Sequence, residues 1–244
     1  MKVIGLIPAR LHSTRLPRKP LLEIDGLPLI IHTLKRSMLA KKLDELAVCT
    51  DSKEIKTVVE NYGGKCFLTS SDHVNGTDRI AEVAKKVNYD LIIDIQGDEP
   101  LLDFNHIDEV VDFHTSNMKF DIIIPHLDFQ SPESPNIVKL LIDKNNYIKY
   151  MSRAVIPYPF LKKPKFYKKH LSIISFKSES LQRYASLKQS KLEKIESIEL
   201  LRALENDFSL GSFGLSGDSF SIDVKEDFEN ALKVMPKDKY RKLY

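Results

Sequence analysis

Short apolar runs that alternate with amphipathic segments fill the first half of the chain and restrict its fold more than any other feature. The strand-length runs lie at residues 3–7, 45–49, 65–68 and 91–95. The amphipathic segments, with apolar residues at helical spacing, lie at residues 29–39, 52–61, 77–87 and 104–114. Strands that alternate with helices indicate βαβ units. The pattern therefore predicts an α/β fold with a mostly parallel sheet.

The alternation of strands and helices ends near residue 125. Beyond it, two apolar runs flank a polar turn at residues 143–146 and predict a hairpin. A stretch rich in Pro and Lys at residues 157–169 predicts a long loop. After this loop, the pattern predicts a strand at residues 170–176 and helices at residues 178–185, 192–205 and 225–234. We expect a single domain over residues 1–244, in which residues 126–170 form an insertion suited to subunit contact.

The composition excludes several classes of protein. With 37 basic and 34 acidic residues the net charge is only +3, so the chain lacks the basic excess of a dedicated nucleic-acid binder. Two cysteines without a CxxC pair disfavour a disulfide framework or a cysteine zinc site. No signal-like h-region or membrane-length apolar run is evident, so we expect a cytoplasmic protein that does not enter the membrane.

A dense group of cations follows the first predicted strand, in the stretch IPARLHSTRLPRKP at residues 7–20. Ligands bind at the carboxyl ends of strands in open α/β sheets, so this loop is a candidate anion site. The chain has neither a P-loop nor a GxGxxG motif, which disfavours ordinary kinases, GTPases and NAD enzymes. Arg10, Arg15, Arg18 and Lys19 instead predict a phosphate site built from side chains, with a solvated basic turn as the alternative.

Two carboxylates stand at other predicted strand ends. Asp98 follows Gly97 in LIIDIQGDEP, and Asp223 lies in SID, just before the helix at 225–234. Mg²⁺ typically takes one or two carboxylates together with substrate phosphates, so this pair is the candidate metal site. A helix N-cap is the alternative role for Asp223.

The stretch HVNGTDRIAEV at residues 73–83 supplies a further candidate binding element. Gly76 and Thr77 begin a predicted helix whose unpaired amides suit an anion or the edge of a base, and Arg79 adds a cation.

Six motifs occur in order over nearly the whole chain: IPARLHSTRLPRKPL, NGTDRIAEV, DIQGDEPL, PNIVKLLID, YMSRAVIPY and IESIELLRAL. Together they resemble the 3-deoxy-manno-octulosonate cytidylyltransferase (CMP-Kdo synthetase) family. The resemblance implies a Rossmann-like nucleotidyltransferase fold, usually as a homodimer. It also implies transfer of CMP from CTP to Kdo, with Mg²⁺ as cofactor and diphosphate as second product, for lipopolysaccharide synthesis.

The resemblance also implies roles for individual residues of this sequence. The catalytic residues would be Lys19, Asp98 and Asp223, of which the two aspartates hold the metal. The nucleotide-binding residues would be Pro8, Ala9, Arg10, Lys19, Gly76, Thr77 and Arg79. The sugar-binding residues would be Arg15, Gln96, Arg153, His170 and Glu196.

The chain departs from the family pattern at several positions. Arg18 replaces the usual glycine, HLSII and SIDVKED replace two family segments, and Ile174 stands where the family commonly has tyrosine. The exact sugar acid is therefore open, and a related ulosonic acid, such as 8-amino-Kdo or a sialic-acid-like sugar, is the alternative acceptor. A nucleotide-binding protein without catalysis is a second alternative, which the retained Lys19 and aspartates oppose.

Overall fold

The computed structural model describes residues 1–12 and 15–244, and these form two compact units. The first unit comprises Met1–Asp108 and Ser219–Tyr244, and the second comprises Glu109–Asp218. The strands are β1 (Val3–Ala9), β2 (Glu23–Ile24), β3 (Leu27–Pro28), β4 (Glu45–Thr50), β5 (Lys65–Leu68), β6 (Leu91–Ile95), β7 (Ile122–Ile123), β8 (His126–Phe129), β9 (Lys139–Ile142), β10 (Ile148–Ser152), β11 (Tyr167–His170), β12 (Ile173–Lys177), β13 (Leu210–Gly211) and β14 (Gly214–Leu215). The α-helices are α1 (Leu29–Ser37), α2 (Lys53–Asn61), α3 (Gly76–Ala84), α4 (Phe104–Ser116), α5 (Ser178–Ala185), α6 (Lys191–Glu196), α7 (Leu201–Leu204) and α8 (Lys225–Val234). Short 3-10 helices span Lys19–Leu21, Met235–Lys237 and Arg241–Leu243.

The first unit is built on parallel strands in the order β6, β1, β4 and β5. Every residue of β1 is buried, which explains its nearly continuous apolar sequence. Between strands, Ser52 caps α2 by accepting a hydrogen bond from the Ile55 amide, and Gly63 follows the helix with φ of +77°. The predicted strands and helices of this half are confirmed, with small shifts at their ends.

A buried apolar cluster in the first unit joins segments that lie far apart in sequence. Its members are Ile24, Leu29, Ile222, Ala231 and Met235. They come from β2, α1, the segment before α8, α8 itself and the 3-10 helix after it. Burial of each large aliphatic side chain contributes about 1.5–3 kcal/mol. This cluster therefore anchors the segment that carries Asp223 beside the one that follows Lys19.

The second unit contains two groups of paired strands. In one, β7 pairs parallel with β13 and antiparallel with β12. In the other, the order is β10, β9, β11, β8 and β14. The predicted hairpin is confirmed as the antiparallel pair β9 and β10, and the Asp143 carboxylate stabilises its turn by accepting hydrogen bonds from the amides of Asn145 and Tyr147.

Two predictions in the second unit are wrong in detail. The single strand expected at 170–176 is two strands, because the chain leaves β8 after β11 and joins β7 as β12. The start of β11 also takes up the end of the predicted loop at 157–169. The helix expected at 192–205 is broken between α6 and α7, since Ser197 adopts a left-handed conformation with φ of +52°. The carbonyls of Glu196 and Ser197 both accept hydrogen bonds from Arg153 there.

The role of residues 126–170 as an insertion for dimerisation stays a prediction. Within the described ranges, the chain has no helix with the length and apolar character needed to cross a membrane.

Candidate active site

The carboxyl end of β1 lies against two glycines that the sequence placed in separate motifs. A Cβ at Gly97 would meet the Pro8 carbonyl oxygen at 2.7 Å, and one at Gly76 would meet the Pro8 side chain at 3.1 Å. Side chains at these positions would force the segments apart. The end of β1, the start of α3 and the loop after β6 therefore meet at one point. Ala9 is the last residue of β1, and Arg10 follows it with an exposed side chain.

Lys19 is the centre of this site. Its ammonium lies 2.6 Å from an Asp98 carboxylate oxygen and 2.8 Å from the Ile222 carbonyl oxygen. The Ile222 amide in turn donates to the Asp98 carbonyl at 3.0 Å. The basic loop, the QGDEP loop and the SID segment are thus brought together, with Asp98 beside the residue that precedes Asp223.

Asp223 is paired with the same basic loop. An Arg15 guanidinium nitrogen donates to an Asp223 carboxylate oxygen at 2.8 Å. The N-cap alternative for Asp223 is not what the structure shows, because the Asp227 carboxylate accepts hydrogen bonds from the amides of Asp223 and Val224. Asp227 thus caps the start of α8, and the Asp223 carboxylate pairs with Arg15 instead.

The donor set of this site fits Mg²⁺. Asp98 and Asp223 offer carboxylate oxygens, the ligands that this ion prefers, on segments joined by a backbone hydrogen bond at Ile222. The neighbouring Lys19 and Arg15 match the anionic phosphates that such an ion would accompany. In the described part of the chain, His, Cys, Asp and Glu form no group of three or more that could hold a metal.

The start of α3 is held from both sides. Asn75 caps the helix by accepting a hydrogen bond from the Asp78 amide at 2.7 Å. Arg79 is 3% exposed, and its guanidinium donates to the Thr69 hydroxyl and the Ser70 carbonyl and lies 3.4 Å from an Asp51 carboxylate oxygen. Arg79 therefore holds the loop at residues 69–70, which leads into α3. A direct contact of Arg79, Gly76 or Thr77 with nucleotide stays a prediction.

Other residues of the basic loop and the QGDEP loop have specific partners. Arg18 forms an ion pair with Glu54 in the first turn of α2. Gln96 donates to a carboxylate oxygen of the buried Asp94 at 3.2 Å. Ser13 and Thr14 lie outside the described residues. The sugar-binding roles predicted for Arg15 and Gln96 remain predictions.

The second unit brings together the other predicted sugar-side residues. The Arg153 amide and the Ser152 hydroxyl donate to the two carboxylate oxygens of Glu196, at 2.9 and 2.7 Å. The Arg153 guanidinium donates to the carbonyls of Glu196, Pro135 and Ser197. Burial, with a smaller contribution from the charge of Arg153, lowers the pKa of His170 to about 4, so this imidazole is neutral at pH 7. Arg153 and Glu196 form one network, and their contact with a sugar stays a prediction.

Sequence reasoning missed several residues that organise the site. Asn75 precedes Asp78 by three residues, a spacing typical of a helix start, so its capping role was readable from the pattern. Asp227 has a similar signal, since it is an acidic residue in the first turn of α8. Asp51 follows a predicted strand, but its contact with Arg79 joins separate segments, and no local signal indicates that partner.

The sequence matches a known family and its individual members. The profile of the cytidylyltransferase family, described as "Cytidylyltransferase", matches residues 4–210. The 3-deoxy-manno-octulosonate cytidylyltransferase of Fusobacterium nucleatum subsp. nucleatum is 40% identical over 241 residues, which cover 96% of this chain and 97% of the relative. The protein of the same name from Chlorobium limicola is 38% identical, with coverage of 96% and 98%.

Solved structures agree with the sequence matches. The structure of CMP:2-keto-3-deoxy-manno-octonic acid synthetase complexed with CTP superposes with a TM-score of 0.93 at 31% identity, covering 97% of this chain and 99% of that one. A cytidylyltransferase from Leptospira borgpetersenii shares the fold, with a TM-score of 0.69 at 21% identity, covering 97% of this chain and 87% of that one. The chain thus has relatives along almost its whole length, and its Rossmann-like sheet carries Lys19, Asp98 and Asp223 at one edge. It belongs to the 3-deoxy-manno-octulosonate cytidylyltransferases of the cytidylyltransferase family.

Proposed function

We propose that this enzyme transfers CMP from CTP to the anomeric hydroxyl of Kdo, giving CMP-Kdo and diphosphate for lipopolysaccharide synthesis. The relatives that it matches over nearly their full length carry the name of this activity. The observation that carries the proposal is the joining of three segments by Lys19, which contacts Asp98 and the Ile222 carbonyl beside Asp223.

The nucleotide side of the reaction belongs to the first unit. Arg10 is exposed at the end of β1, and Lys19 and Arg15 are each paired with a carboxylate. We infer that the triphosphate of CTP competes for these cations, because phosphate oxygens accept charge-assisted hydrogen bonds from both kinds of side chain. Pro8, Ala9, Gly76 and Thr77 would line the nucleoside, since Pro8 and Gly76 are in contact range.

The chemistry is a substitution at phosphorus. The oxygen of the sugar's C2 hydroxyl forms a bond to the α-phosphorus of CTP, the bond to the bridging oxygen breaks, and diphosphate leaves with that oxygen. Lys19 and Arg10 would stabilise the negative charge on the phosphates, and the walls of the site would hold the two reactants in line. The hydroxyl proton passes to solvent in net balance, and we assign no residue as general base.

We also propose that Asp98 and Asp223 bind Mg²⁺ together with the substrate. The bound ion would supply additional neutralisation of phosphate charge. Binding of the ion would require Lys19 and Arg15 to release these carboxylates. This is consistent with the proposal that the two cations pair with the phosphates of CTP. Calorimetric titration of the protein with Mg²⁺, in the presence and absence of CTP, tests whether the ion binds together with the nucleotide. We expect weak binding of Mg²⁺ to the protein alone and tight binding with CTP.

The acceptor is the less constrained part of the proposal. Ile174 lies in β12 with 5% of its surface exposed, so the position that carries a tyrosine hydroxyl in the family is here apolar and buried. This observation favours a second candidate acceptor, a related ulosonic acid such as 8-amino-Kdo or a sialic-acid-like sugar. Arg153, His170, Glu196, Arg15 and Gln96 would contact the acceptor in either case.

One assay distinguishes these functions. Diphosphate release is measured with CTP, UTP or ATP, each combined with Kdo, 8-amino-Kdo or sialic acid. We expect the highest kcat/KM for CTP with Kdo. A higher value for 8-amino-Kdo or sialic acid would select the second candidate, and CTP binding without diphosphate release from any pair would contradict catalysis.

The loop before β11 supports a homodimer. Tyr158, Phe160 and Leu161 are 77%, 84% and 93% exposed, an apolar surface that is costly to leave in water. We propose that a second copy of the chain covers it. Sedimentation should show a dimer at micromolar concentration, and Leu161→Asp should produce monomers. A monomeric wild-type protein would contradict the proposal.

The proposed setting is the cytoplasm, without nucleic-acid or membrane partners. Both cysteines are free and buried, which is consistent with a reducing compartment. Cell fractionation tests the location, and salt-sensitive binding to DNA or RNA without binding of CTP would contradict the assignment.

A further inference from the structure

Lys139 is a fully buried cation with no assigned role. It is the first residue of β9, and none of its surface is exposed. Its ammonium donates hydrogen bonds to the carbonyls of Ser134 at 3.0 Å, Ile137 at 2.8 Å and Arg153. An ammonium has three donors, so these carbonyls use all of them.

Burial of this charge is costly, and the three carbonyl oxygens offset part of the cost, as do the negative charges of Glu196 and Glu133. Desolvation lowers the pKa of Lys139, and the charge of Arg153 lowers it further. An apolar side chain such as methionine would fill the same space without the cost of desolvation. What methionine cannot do is hold three carbonyls from two separate segments around one point. The arrangement therefore indicates a geometric role.

The two segments that Lys139 joins contain or contact the predicted sugar-side residues of this unit. Its bond to the Arg153 carbonyl fixes the main chain whose amide binds the Glu196 carboxylate. Its bonds to Ser134 and Ile137 hold the loop whose Pro135 carbonyl accepts from the Arg153 guanidinium. The His170 amide donates to the carbonyl of Val138, the residue before Lys139.

We propose that Lys139 is a positioning residue for the sugar acid, which sets the relative positions of Arg153, Glu196 and His170 without touching the substrate. The inference rests on the proposed function, in which these three residues face the sugar. A displacement of binding groups by about 1 Å can cost up to roughly 100-fold in efficiency. Loss of the ammonium should therefore affect the sugar acid and leave the nucleotide unaffected.

The test compares Lys139→Met and Lys139→Gln with a matched control, Lys149→Met. Lys149 lies on the neighbouring strand β10, where its 62% exposed side chain pairs with Asp143. Kinetics of diphosphate release are measured with CTP and Kdo varied separately. Hydrogen exchange is followed by mass spectrometry in peptides that cover residues 134–139 and 150–154.

We expect Lys139→Met to raise the KM for Kdo about 10- to 100-fold, with the KM for CTP within about twofold of wild type. Exchange should be faster in both peptides, Lys139→Gln should be intermediate because it keeps two donors, and Lys149→Met should match wild type. An unchanged KM for Kdo, or equal losses for both substrates, would overturn the proposal. So would failure of both Lys139 variants to fold, which would assign the residue to folding. A wild-type protein that releases no diphosphate would overturn the proposed function itself, and this inference with it.

Discussion

Replacement of Asp223 by asparagine removes a negative charge and keeps the shape of the side chain. The structure pairs this carboxylate with Arg15 at 2.8 Å, and the two side chains are 34% and 59% exposed. Exposed ion pairs contribute about 0.2–1 kcal/mol to stability. For a chain of this size, 1 kcal/mol corresponds to about 2–4 °C in Tm. We therefore expect Asp223→Asn to lower Tm by no more than about 4 °C.

The same substitution should lower turnover strongly. If Asp223 binds the metal that accompanies the triphosphate, its loss removes charge stabilisation worth several kcal/mol, or about 100-fold in kcat. Diphosphate release at saturating CTP and Kdo measures this loss, and differential scanning calorimetry measures Tm on the same preparation.

Asp227→Ala is the matched control, because Asp227 accepts the amide hydrogen bonds at the start of α8. Loss of a cap costs about 0.5–2 kcal/mol, so its Tm should fall by at least as much as that of Asp223→Asn, with a smaller loss of turnover. Retained turnover in Asp223→Asn would refute the metal assignment. A large fall of its Tm would show that the carboxylate stabilises the fold in a way that the contacts do not explain.

Three further predictions follow from the contacts. Lys19→Met should lower kcat about 100-fold, and it should also lower Tm because two hydrogen bonds of a largely buried ammonium are lost. The control Lys53→Met, at the exposed start of α2, should change neither kcat nor Tm. A normal kcat in Lys19→Met would contradict its phosphate role. The double variant of Asp98→Asn and Asp223→Asn should be little less active than the worse single variant, and multiplied losses would indicate separate roles. Burial lowers the pKa of His114 and of His126 to about 4, below the ordinary 6.5, so each favours the folded state fully above pH 6.5 and this contribution is lost as pH falls towards 4. At pH 5 the loss is about 2 kcal/mol for each histidine, which urea unfolding at pH 7.5 and 5.0 should detect and which His126→Gln should reduce; an unchanged pH dependence would contradict it.

Local patterns predicted the first unit well because its elements are specified by their own residues. The fully buried β1 needs apolar residues at every position, and Ser52 and Gly63 mark the two ends of α2. The place of Asp98 was predictable for a related reason, since a carboxylate after a buried strand and a glycine lies at the edge of the sheet; its role in the reaction stays a prediction.

The second unit was harder to predict because its breaks are set by distant contacts. The interruption between α6 and α7 occurs at Ser197, whose carbonyl accepts from Arg153, 44 residues earlier in the chain. The strand expected at 170–176 changes partners between β8 and β7, a choice that no periodicity records.

Chemical type alone also does not tell whether a charged side chain faces the ligand or supports the site. Lys19 and Arg79 lie in motifs that the sequence indicates for anion binding, and Lys139 is a further lysine within the motif PNIVKLLID. Lys19 contacts the two segments that bear Asp98 and Asp223, whereas Arg79 and Lys139 are buried and donate to backbone carbonyls of loops in their own units. The difference lies in the acceptors. A cation whose donors are taken up by backbone carbonyls fixes the shape of a loop, and one that is paired with an accessible carboxylate can exchange that partner for a phosphate.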